Sequence, residues 1–355
     1  MRKLVSLLAV LAALGVAGAA HASSPRVAVF YYPWYSTAAH DGSDAHWNQG
    51  EHRPPGDVAS SFYPLHGPYS SADLSVLRDH MADIASTGAG VVVSSWWGRG
   101  SLEDARLPAV ADAARAYRLR VAVQIEPYDA RSPASVAEDV RSLRALGITD
   151  FYVYRAQDFP AADWAAALAP LTGVRLIAHT LLVGWAAQAR FAGIYTYDVL
   201  INSGSSFKRL CTAAHRVGLL CAPSVGPGFD ATAATPETRT RPRRDGQTYD
   251  TMWKAAIASS ADLVTVTSYN EWHEGSQIEP AAPAAPAAKG RYQDYDGAWG
   301  LHGAQAATAY LARTALWVQR FDLQAPLAEP AAVARILGAW PEQNSLVGRR
   351  TFRTR

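Results

Sequence analysis

The amino-acid sequence predicts an α/β fold, specifically a single-domain (β/α)8 TIM barrel, on three observations. Eight short apolar runs recur along the 355 residues. Amphipathic segments separate most of these runs, and aromatic and polar side chains cluster just after the runs rather than before them. Alternation of buried strands with helices is typical of parallel α/β folds, and the count of eight favours a closed barrel over an open doubly wound sheet.

Each apolar run is short and rich in β-branched or aromatic side chains, which is typical of a strand covered on both faces. The predicted strands span residues 27–32, 90–96, 120–126, 150–154, 174–179, 193–200, 219–224 and 263–269. In a barrel, the carboxyl ends of all strands meet at one mouth, and the functional site lies there. We therefore expect the rings and polar groups that follow these runs to form a site.

Helical periodicity marks several of the connecting segments. Leu74, Leu77 and Ile84 recur at helical spacing, with Ser70 and Ser71 as candidate N-caps. Further helices are predicted at residues 135–146, 161–171, 205–217, 249–260 and 304–320. The long first loop, residues 36–71, is expected to shape the site, and the Ala/Pro-rich stretch 281–288 is expected to be an exposed, polyproline-like loop.

Residues 1–22 are predicted to be a cleavable signal peptide. Arg2 and Lys3 precede an apolar stretch at 4–20, and the small residues Ala20 and Ala22 fit cleavage after Ala22. A membrane anchor is the less favoured alternative, because the stretch is diluted with Ala and Gly and is short for a span. The barrel then occupies 23–330, and 331–355 forms a C-terminal helix and tail. We expect a secreted or periplasmic protein.

The charge pattern gives no electrostatic reason to expect a nucleic-acid partner. The formal net charge is +2 and the pI is about 8.5. One dense basic cluster, residues 239–244, is either a solvated loop or a contact for an anionic or hydroxylated ligand. No later segment is apolar for long enough to cross a bilayer, so no membrane partner is expected after signal cleavage.

The two cysteines, Cys211 and Cys221, leave two alternatives open. Export permits a disulfide between them, but Cys211 is predicted to be helical and Cys221 to lie in a strand, and two buried thiols would fit as well. Neither cysteine has neighbours at the spacing of zinc ligands.

The most informative segment is 268–279, where Glu271 and Glu274 follow the eighth strand with Trp272 and His273 between them. Carboxylates surrounded by rings have tunable pKa values, as acid/base chemistry on a sugar requires. Residues three apart on a straight strand would point to opposite faces, so the pair can act together only if a turn follows Glu271. The alternative is a cluster of carboxylates at a helix N-terminus.

Other polar and aromatic groups at the strand ends are candidates for the same site. Glu126 ends the third strand and is either a third site carboxylate or a partner in a strand-end salt bridge. Glu279 either completes the polar network or lies on the surface. Of the 11 Trp residues, those on predicted helices are expected in the core, whereas five are expected to line the site, namely Trp34, Trp47, Trp96, Trp97 and Trp272.

Two other hydrolase chemistries fit poorly. His273 and Glu274 match the start of a His-Glu-x-x-His zinc motif, but Gln277 occupies the position of the second histidine. The sequence also lacks the Gly-x-Ser-x-Gly motif of serine hydrolases and any glycine-rich phosphate loop. We therefore predict neither a metal site nor a cofactor.

The sequence resembles the endo-α-1,2-mannosidase family, glycoside hydrolase family 99. The most specific block is Asn-Glu-Trp-His-Glu-Gly at 270–275, supported by Ser-Ser-Phe-Tyr-Pro at 60–64 and Pro-Ser-Val-Gly-Pro-Gly at 223–228. The other matching blocks lie at 46–48, 54–55, 69–71, 95–96, 125–128, 151–154, 193–197, 238–239 and 277–279. Together they cover most of the chain after the predicted signal peptide, in the family's order.

The resemblance implies that residues 23–330 form a catalytic barrel that cleaves internal α-1,2-mannosidic bonds with retention. In this family a base deprotonates the substrate's own 2-hydroxyl, which closes on the anomeric carbon to give a 1,2-anhydro sugar. Glu274 matches the general acid/base, and Glu271 is our choice for the base, with Glu126 as its rival. The expected partner is α-mannan or another mannose-containing glycan, and no cofactor is implied.

The resemblance and the strand-end positions together suggest which residues bind the substrate. Tyr195 and Asn270 match groups around the reacting sugar, and Trp97 falls at a variable aromatic position that touches the next sugar, where tryptophan is similar to bacterial members acting on α-mannans. The full set expected to bind the substrate is Glu126, Tyr195, Asn270, Trp96, Trp97, His46, Trp47, Tyr128, Trp272 and His273.

Three departures from the family pattern leave specificity open on the leaving-group side. Arg155 stands where the family usually has Asp, Gly184-Trp185 replaces a more acidic segment, and 202–206 is a compact version of a longer loop. Two alternative functions also remain open, a non-catalytic glycan-binding barrel and a glycosidase of different linkage.

Overall fold

The computed structural model describes residues 23–283 and 292–323, and its centre is a barrel of parallel strands. The order in the main sheet is β7-β6-β5-β4-β3-β2-β1-β11-β8. The strands are β1 Ser24–Tyr31, β2 Ala89–Trp96, β3 Arg120–Ile125, β4 Asp150–Val153, β5 Arg175–His179, β6 Gly193–Tyr195, β7 Leu220–Ala222, β8 Ser224–Val225 and β11 Val264–Val266. A separate antiparallel hairpin consists of β9 Phe229–Asp230 and β10 Thr240–Arg241.

The predicted (β/α)8 barrel is confirmed, and its seventh position shows how the barrel closes. β7 pairs with β6 and β8 pairs with β11, and only Pro223 separates β7 from β8. Proline has no N–H to donate to a strand ladder, so the predicted strand 219–224 is divided at this residue. The chain itself therefore joins the two ends of the sheet.

The helices lie between the strands in the order that the barrel requires. Their bounds are α1 Ala38–Asp41, α2 Leu74–Ser86, α3 Leu102–Ala116, α4 Pro133–Leu143, α5 Ala161–Leu168, α6 Val183–Gln188, α7 Phe207–Arg216, α8 Gln247–Ala258, α9 Gly303–Ala307 and α10 Ala309–Leu323. Helices α1, α3 and α6 were not predicted from the sequence. Pro108 inside α3 obscured its helical pattern, because proline usually marks a break.

The cap of α2 differs from the prediction. The N-cap is Asp73, whose side chain accepts a hydrogen bond from the Ser75 N–H, and not Ser70 or Ser71. Ser70 instead donates to Asp41 and accepts from the Ala72 N–H, so it supports the loop before the helix.

Aromatic rings fill the barrel interior beneath its mouth. Phe30 of β1, Tyr152 of β4 and Tyr195 of β6 meet one another with ring centroids 5.2–5.6 Å apart. These three strands are not neighbours in the sheet, so the contacts cross the barrel axis. The floor of any site at the mouth is therefore closed by packed rings rather than open to a channel.

A disulfide joins Cys211 of α7 to Cys221 of β7, with an S–S distance of 2.05 Å, which resolves the alternative left open by the sequence. We predict that replacing both cysteines by alanine lowers the free energy of unfolding by about 2–3 kcal/mol, because the unfolded chain is no longer constrained by this loop. Urea unfolding of the double variant tests this, with reduced wild type as the control. An unchanged midpoint would contradict it.

Several predicted segments lie outside the described residues. They are the signal peptide at 1–22, most of the Ala/Pro-rich loop at 281–288 and the C-terminal helix and tail at 331–355. Within residues 23–283 and 292–323, no helix is both long enough and apolar enough to span a bilayer.

Candidate active site

Glu271 and Glu274 lie in a tight turn directly after β11. The Trp272 N–H donates to the Asn270 carbonyl, and the Gly275 N–H donates to the Trp272 carbonyl at 3.2 Å. This turn brings both carboxyl groups to the barrel mouth, where the charge of Glu274 raises the pKa of Glu271. Glu271 is buried, with 4% of its surface exposed, and Glu274 is half-buried. The predicted turn after Glu271 is therefore present.

The two carboxyl groups differ in the donors that they receive. Burial raises the Glu271 pKa most, followed by the charge of Glu274, while the His273 N–H donates to Glu271 Oε1 at 3.2 Å and favours the ionised form. Burial also raises the Glu274 pKa most, followed by the charges of Asp198 and Glu126. Within the described part of the chain, no hydrogen bond reaches the Glu274 carboxyl group. Burial thus raises both pKa values, and the His273 N–H bond is the observation that favours the charge on Glu271 over the charge on Glu274.

Glu126 is a third buried carboxyl group at the same mouth. Its Oε1 accepts hydrogen bonds from Ser95 Oγ at 2.9 Å and Gln124 Nε2 at 2.8 Å. Ser95 of β2 and Gln124 of β3 are register partners, so both donors are fixed by the sheet. Burial raises the Glu126 pKa to about 7, and the bonds from Ser95 and Gln124 act in the opposite direction. The structure therefore favours the site role over the strand-end salt bridge.

The raised pKa of Glu126 gives a pH-dependent prediction for Glu126→Gln. The folded protein holds a proton at Glu126 up to a pKa of about 7, whereas an unperturbed glutamate has a pKa of 4.5. Stability from this group therefore falls as pH rises through that window and stays low above it. The glutamine variant, which keeps an acceptor oxygen, should be more stable than wild type at pH 8 by on the order of 3 kcal/mol.

Urea unfolding of wild type and Glu126→Gln at pH 4, 6 and 8 measures this difference. We expect the two proteins to have similar stability at pH 4 and to diverge as the pH rises. A difference that is the same at all three values would mean that Glu126 titrates normally.

Four tyrosines surround the carboxyl groups. Tyr32, Tyr154, Tyr195 and Tyr197 each have a pKa raised first by burial and then by one or more of the site carboxylates or by one another. The hydroxyl groups of Tyr32 and Tyr197 are hydrogen-bonded to each other. The Tyr195 hydroxyl is buried and has no hydrogen-bond partner among the residues that the structure describes. The charge of Glu126 raises the Tyr195 pKa, so the two groups lie close together, and the contact of Tyr195 with the reacting sugar stays a prediction.

A stack of rings forms another wall. The His46 ring lies 4.5 Å from Trp34 with an interplanar angle of 9°, and 5.4 Å from His273. Because a carbonyl can only accept, His273 Nε2 donates to the His46 carbonyl at 2.7 Å, which leaves Nδ1 3.9 Å from Glu271 Oε1. Burial lowers the pKa of His46 to about 3 and that of His273 to about 4. Both imidazole rings are therefore uncharged at neutral pH, and they form a polar side of the site.

Asn270 occupies a different role from the predicted sugar contact. Its side-chain oxygen accepts from the Tyr32 N–H at 2.8 Å, and its Nδ2 donates to the Tyr32 carbonyl at 3.0 Å and the Tyr69 hydroxyl at 3.2 Å. Asn270 is fully buried. It therefore fastens the tip of β11 to the tip of β1 and positions the site rather than lining it.

The prediction that Trp96 lines the site is not met. Successive strand residues point to opposite faces, and Ser95 points inward to Glu126. Trp96 therefore points outward, where it is buried and donates from Nε1 to Asp104 at 2.8 Å. It packs between the barrel and its helices.

Trp47 and Trp272 are also fully buried behind the wall of the site, so neither presents a face to a ligand. The Trp47 indole donates to the Tyr69 carbonyl at 2.8 Å, and the Trp272 indole donates to Glu279 Oε2 at 2.7 Å. Glu279 also accepts from the Tyr69 hydroxyl and lies 3.3 Å from His80 Nε2. Glu279 is thus part of a buried polar network, which was one of its two predicted alternatives.

A surface groove is lined by residues that follow the tips of β2 and β3 and by residues of α4. Its volume is about 630 Å³, and 38% of the Trp97 surface is exposed at its edge. The Tyr128 hydroxyl is hydrogen-bonded to Ser135 and Asp139 of α4, and Asp139 pairs with Arg99 at 3.0 Å. The groove therefore offers aromatic faces and fixed polar groups, and its lining includes Trp97 and Tyr128, two of the residues predicted to bind the substrate.

The set predicted to bind the substrate missed four groups at the mouth. Tyr32 and Tyr154 could have been found, because each ends a predicted strand, whereas Tyr197 lies inside the predicted strand 193–200 and follows β6 only in the structure. The charge of Asp198 raises the Glu274 pKa. The sequence did not indicate this role, because the predicted strand 193–200 would have placed Asp198 within a regular strand rather than at the barrel mouth. β6 instead ends at Tyr195, and Tyr197 has a left-handed backbone with φ 42°.

A (β/α)8 barrel with three carboxyl groups, two of them buried, among aromatic rings at its mouth has the features of a glycoside hydrolase. Residues 24–323 match the model of glycosyl hydrolase family 99. The chain therefore belongs to glycoside hydrolase family 99, as its resemblance implied.

Relatives and solved structures agree with this assignment. The chain is 33% identical over 315 residues to a human glycoprotein endo-alpha-1,2-mannosidase-like protein, with 71% of this chain and 68% of the relative covered. It is 31% identical over 350 residues to the mouse glycoprotein endo-alpha-1,2-mannosidase, covering 82% and 74%. The structure of the GH99 endo-alpha-mannosidase from Bacteroides thetaiotaomicron is similar, with a TM-score of 0.78, 29% identity and coverage of 85% and 99%.

Proposed function

We propose that this protein is a secreted, retaining endo-α-1,2-mannosidase that acts on α-mannan or related mannose-containing glycans. The observation that carries the proposal is the turn that brings Glu271 and Glu274 together at the barrel mouth. The charge of Glu274 raises the proton affinity of Glu271, and neighbouring carboxyl groups of this kind tend to share one proton at neutral pH. A pair that holds one proton contains one acid and one base, as glycosidic cleavage needs.

Glu274 is the acid and Glu271 the base in this proposal. Glu271 accepts a hydrogen bond from the His273 N–H, which favours its charge, whereas Glu274 receives none from the described residues and keeps the proton. Glu126 remains the rival base, because Ser95 and Gln124 also donate to it. If Glu271 is the base, the Glu126 carboxyl group instead binds hydroxyl groups of the sugar.

The proposed reaction has two steps, each of which inverts the anomeric carbon. First, Glu271 takes the proton of the substrate 2-hydroxyl, O2 bonds to C1, and the C1–O bond to the departing sugar breaks as Glu274 protonates its oxygen. Next, water attacks C1 and gives a proton to Glu274, while the C1–O2 bond breaks and O2 recovers its proton from Glu271. Two inversions give net retention, and both carboxyl groups return to their starting states.

Endo action requires room for the glycan beyond the reacting sugar. The groove at Trp97 and Tyr128 supports this requirement, because its exposed indole can pack on the C–H face of a sugar and its polar groups can bind hydroxyls. The names of the relatives and the solved structure support an α-mannoside as substrate. Tryptophan at position 97 favours α-mannan over a glucosylated glycan.

Export is the part of the proposal that concerns location. Disulfides persist in oxidising compartments and are rare in the cytosol of most organisms. The Cys211–Cys221 bridge therefore supports the export predicted from residues 1–22. Secretion and retention in the periplasm are both compatible with this observation.

Incubation of the purified protein with α-mannan, and separately with a Glc/Man-α-1,3-Man-α-1,2-linked oligosaccharide, tests the function. We expect oligosaccharide release, greater from mannan, and linkage analysis should show loss of α-1,2 bonds. Cleavage of another linkage would identify a different glycosidase. Calorimetric binding without any release would instead identify a glycan-binding barrel, and both outcomes would overturn the proposal.

A further inference from the structure

One arginine of the basic cluster at 239–244 is turned into the protein rather than toward solvent or a ligand. Arg243 is half-buried, and its Nη2 donates to the Gly275 carbonyl at 2.9 Å and to the Gln277 carbonyl at 2.7 Å. Gly275 directly follows Glu274. The guanidinium group is therefore hydrogen-bonded to the backbone immediately after Glu274, the proposed acid.

Three aromatic rings hold the guanidinium group in place. Its central carbon lies 4.6 Å from the ring centroids of Phe62 and Tyr295 and 4.7 Å from that of Tyr310. Cation–π contacts with buried rings stabilise the position of a guanidinium group. The Tyr295 hydroxyl lies 2.9 Å from the Glu279 carbonyl, to which it donates, and 3.2 Å from the Gln277 carbonyl. The guanidinium group is thus part of a rigid assembly that contacts the same segment twice.

The hairpin β9–β10 contacts the other side of this segment. The Asp230 N–H of β9 donates to the Glu274 carbonyl at 2.7 Å. Gly275 has φ 59°, and a Cβ on it would lie 2.9 Å from the Asp230 carbonyl, so only glycine allows this close approach. The hairpin and Arg243 therefore fix the two successive peptide carbonyls of Glu274 and Gly275.

This restraint matters because the Glu274 carboxyl group has no hydrogen bond to hold it among the described residues. Its direction depends on its backbone and on packing alone. A displacement of about 1 Å at a reacting group can cost on the order of 10²-fold in rate. The charges that raise the Glu274 pKa belong to Asp198 and Glu126, and Arg243 is not among them.

We infer that Arg243 is a positioning residue, which holds the Glu274 side chain in its direction through hydrogen bonds to the backbone that follows it. This inference rests on the acid role proposed for Glu274. Arg243 acts through geometry rather than charge. Its removal should therefore reduce kcat with little change in KM and without displacing the pH profile.

The test compares Arg243→Ala and Arg243→Lys with Arg241→Ala. Arg241 lies two residues earlier, in β10, and also donates to a carbonyl at 2.7 Å, but that carbonyl belongs to Leu200, outside the 271–277 segment. We expect kcat on α-mannan to fall about 10–100-fold in Arg243→Ala and by less in Arg243→Lys. KM should stay within about twofold of wild type, and Arg241→Ala should retain wild-type kcat.

Added guanidinium at millimolar concentration should restore part of the kcat lost in Arg243→Ala and leave Arg243→Lys unchanged. Equal kcat in wild type and Arg243→Ala would overturn the inference, as would a displaced pH profile with an unchanged plateau. If Arg243→Ala does not fold, Arg243→Lys alone decides by the same kcat and KM criteria. An inactive wild type would overturn the proposed function, so the two failures are distinguishable.

Discussion

Glu274→Gln is expected to reduce turnover of α-mannan by about 10²–10⁴-fold, the range that a general acid/base supplies. Glutamine has nearly the shape of glutamic acid but cannot release a proton to the departing oxygen or take one from water. Since burial and the charges of Asp198 and Glu126 keep the Glu274 pKa high, wild type holds the needed proton at neutral pH. Glycan affinity should change only a few-fold.

Rates measured by reducing-end release and affinities measured by calorimetry separate these two effects. Glu237→Gln is a suitable control, because Glu237 pairs with Arg239 near the surface and does not contact the site carboxyl groups. A Glu274→Gln variant with the wild-type rate would reject the acid role. Loss of glycan binding together with rate would indicate that the substitution had damaged the site.

Glu271→Gln is expected to cause a similar loss, mainly in kcat, because the substrate 2-hydroxyl would have no base. Glu126→Gln should raise KM more than it lowers kcat, because Glu126 is expected to bind the sugar without taking its proton. Both variants keep an oxygen where the native carboxyl group accepts hydrogen bonds from His273 or from Ser95 and Gln124.

Comparing the two variants decides which carboxyl group is the base. Steady-state kinetics on the same mannan, at pH values on both sides of the optimum, provides the numbers. If Glu126→Gln loses kcat by 10²-fold or more while Glu271→Gln is only mildly affected, the base is Glu126 and the assignment of Glu271 is wrong.

The barrel could be predicted from the sequence because strand runs and helical periodicity are local patterns. All eight predicted strands are present, but two differ for local reasons that the pattern did not reveal. Pro223 divides the seventh strand, and the left-handed backbone at Tyr197 follows the early end of the sixth. The carboxylate pair was also predictable, since both residues lie in one short segment after a strand.

The roles of the other residues depend on long-range contacts that a sequence does not display. Trp96 directly follows Ser95 in β2. Because successive strand residues point to opposite faces, Trp96 lies on the outer face of the barrel. The Asn270 side chain is hydrogen-bonded to the backbone of Tyr32, which lies more than 200 residues away in the sequence. Arg243 belongs to a cluster that looks solvated in the sequence, yet three distant rings enclose it. A residue type at a strand tip therefore predicts proximity to the site but not contact with the substrate.

Proton NMR of an α-1,2-linked mannan oligosaccharide, recorded while the wild-type protein hydrolyses it, shows directly whether the proposed two-step reaction takes place. We expect each new reducing end to form first as the α-anomer, because O2 and then water attack the anomeric carbon from opposite faces with the help of Glu271 and Glu274. Initial formation of the β-anomer, or release of single mannose units from the chain end alone, would contradict it.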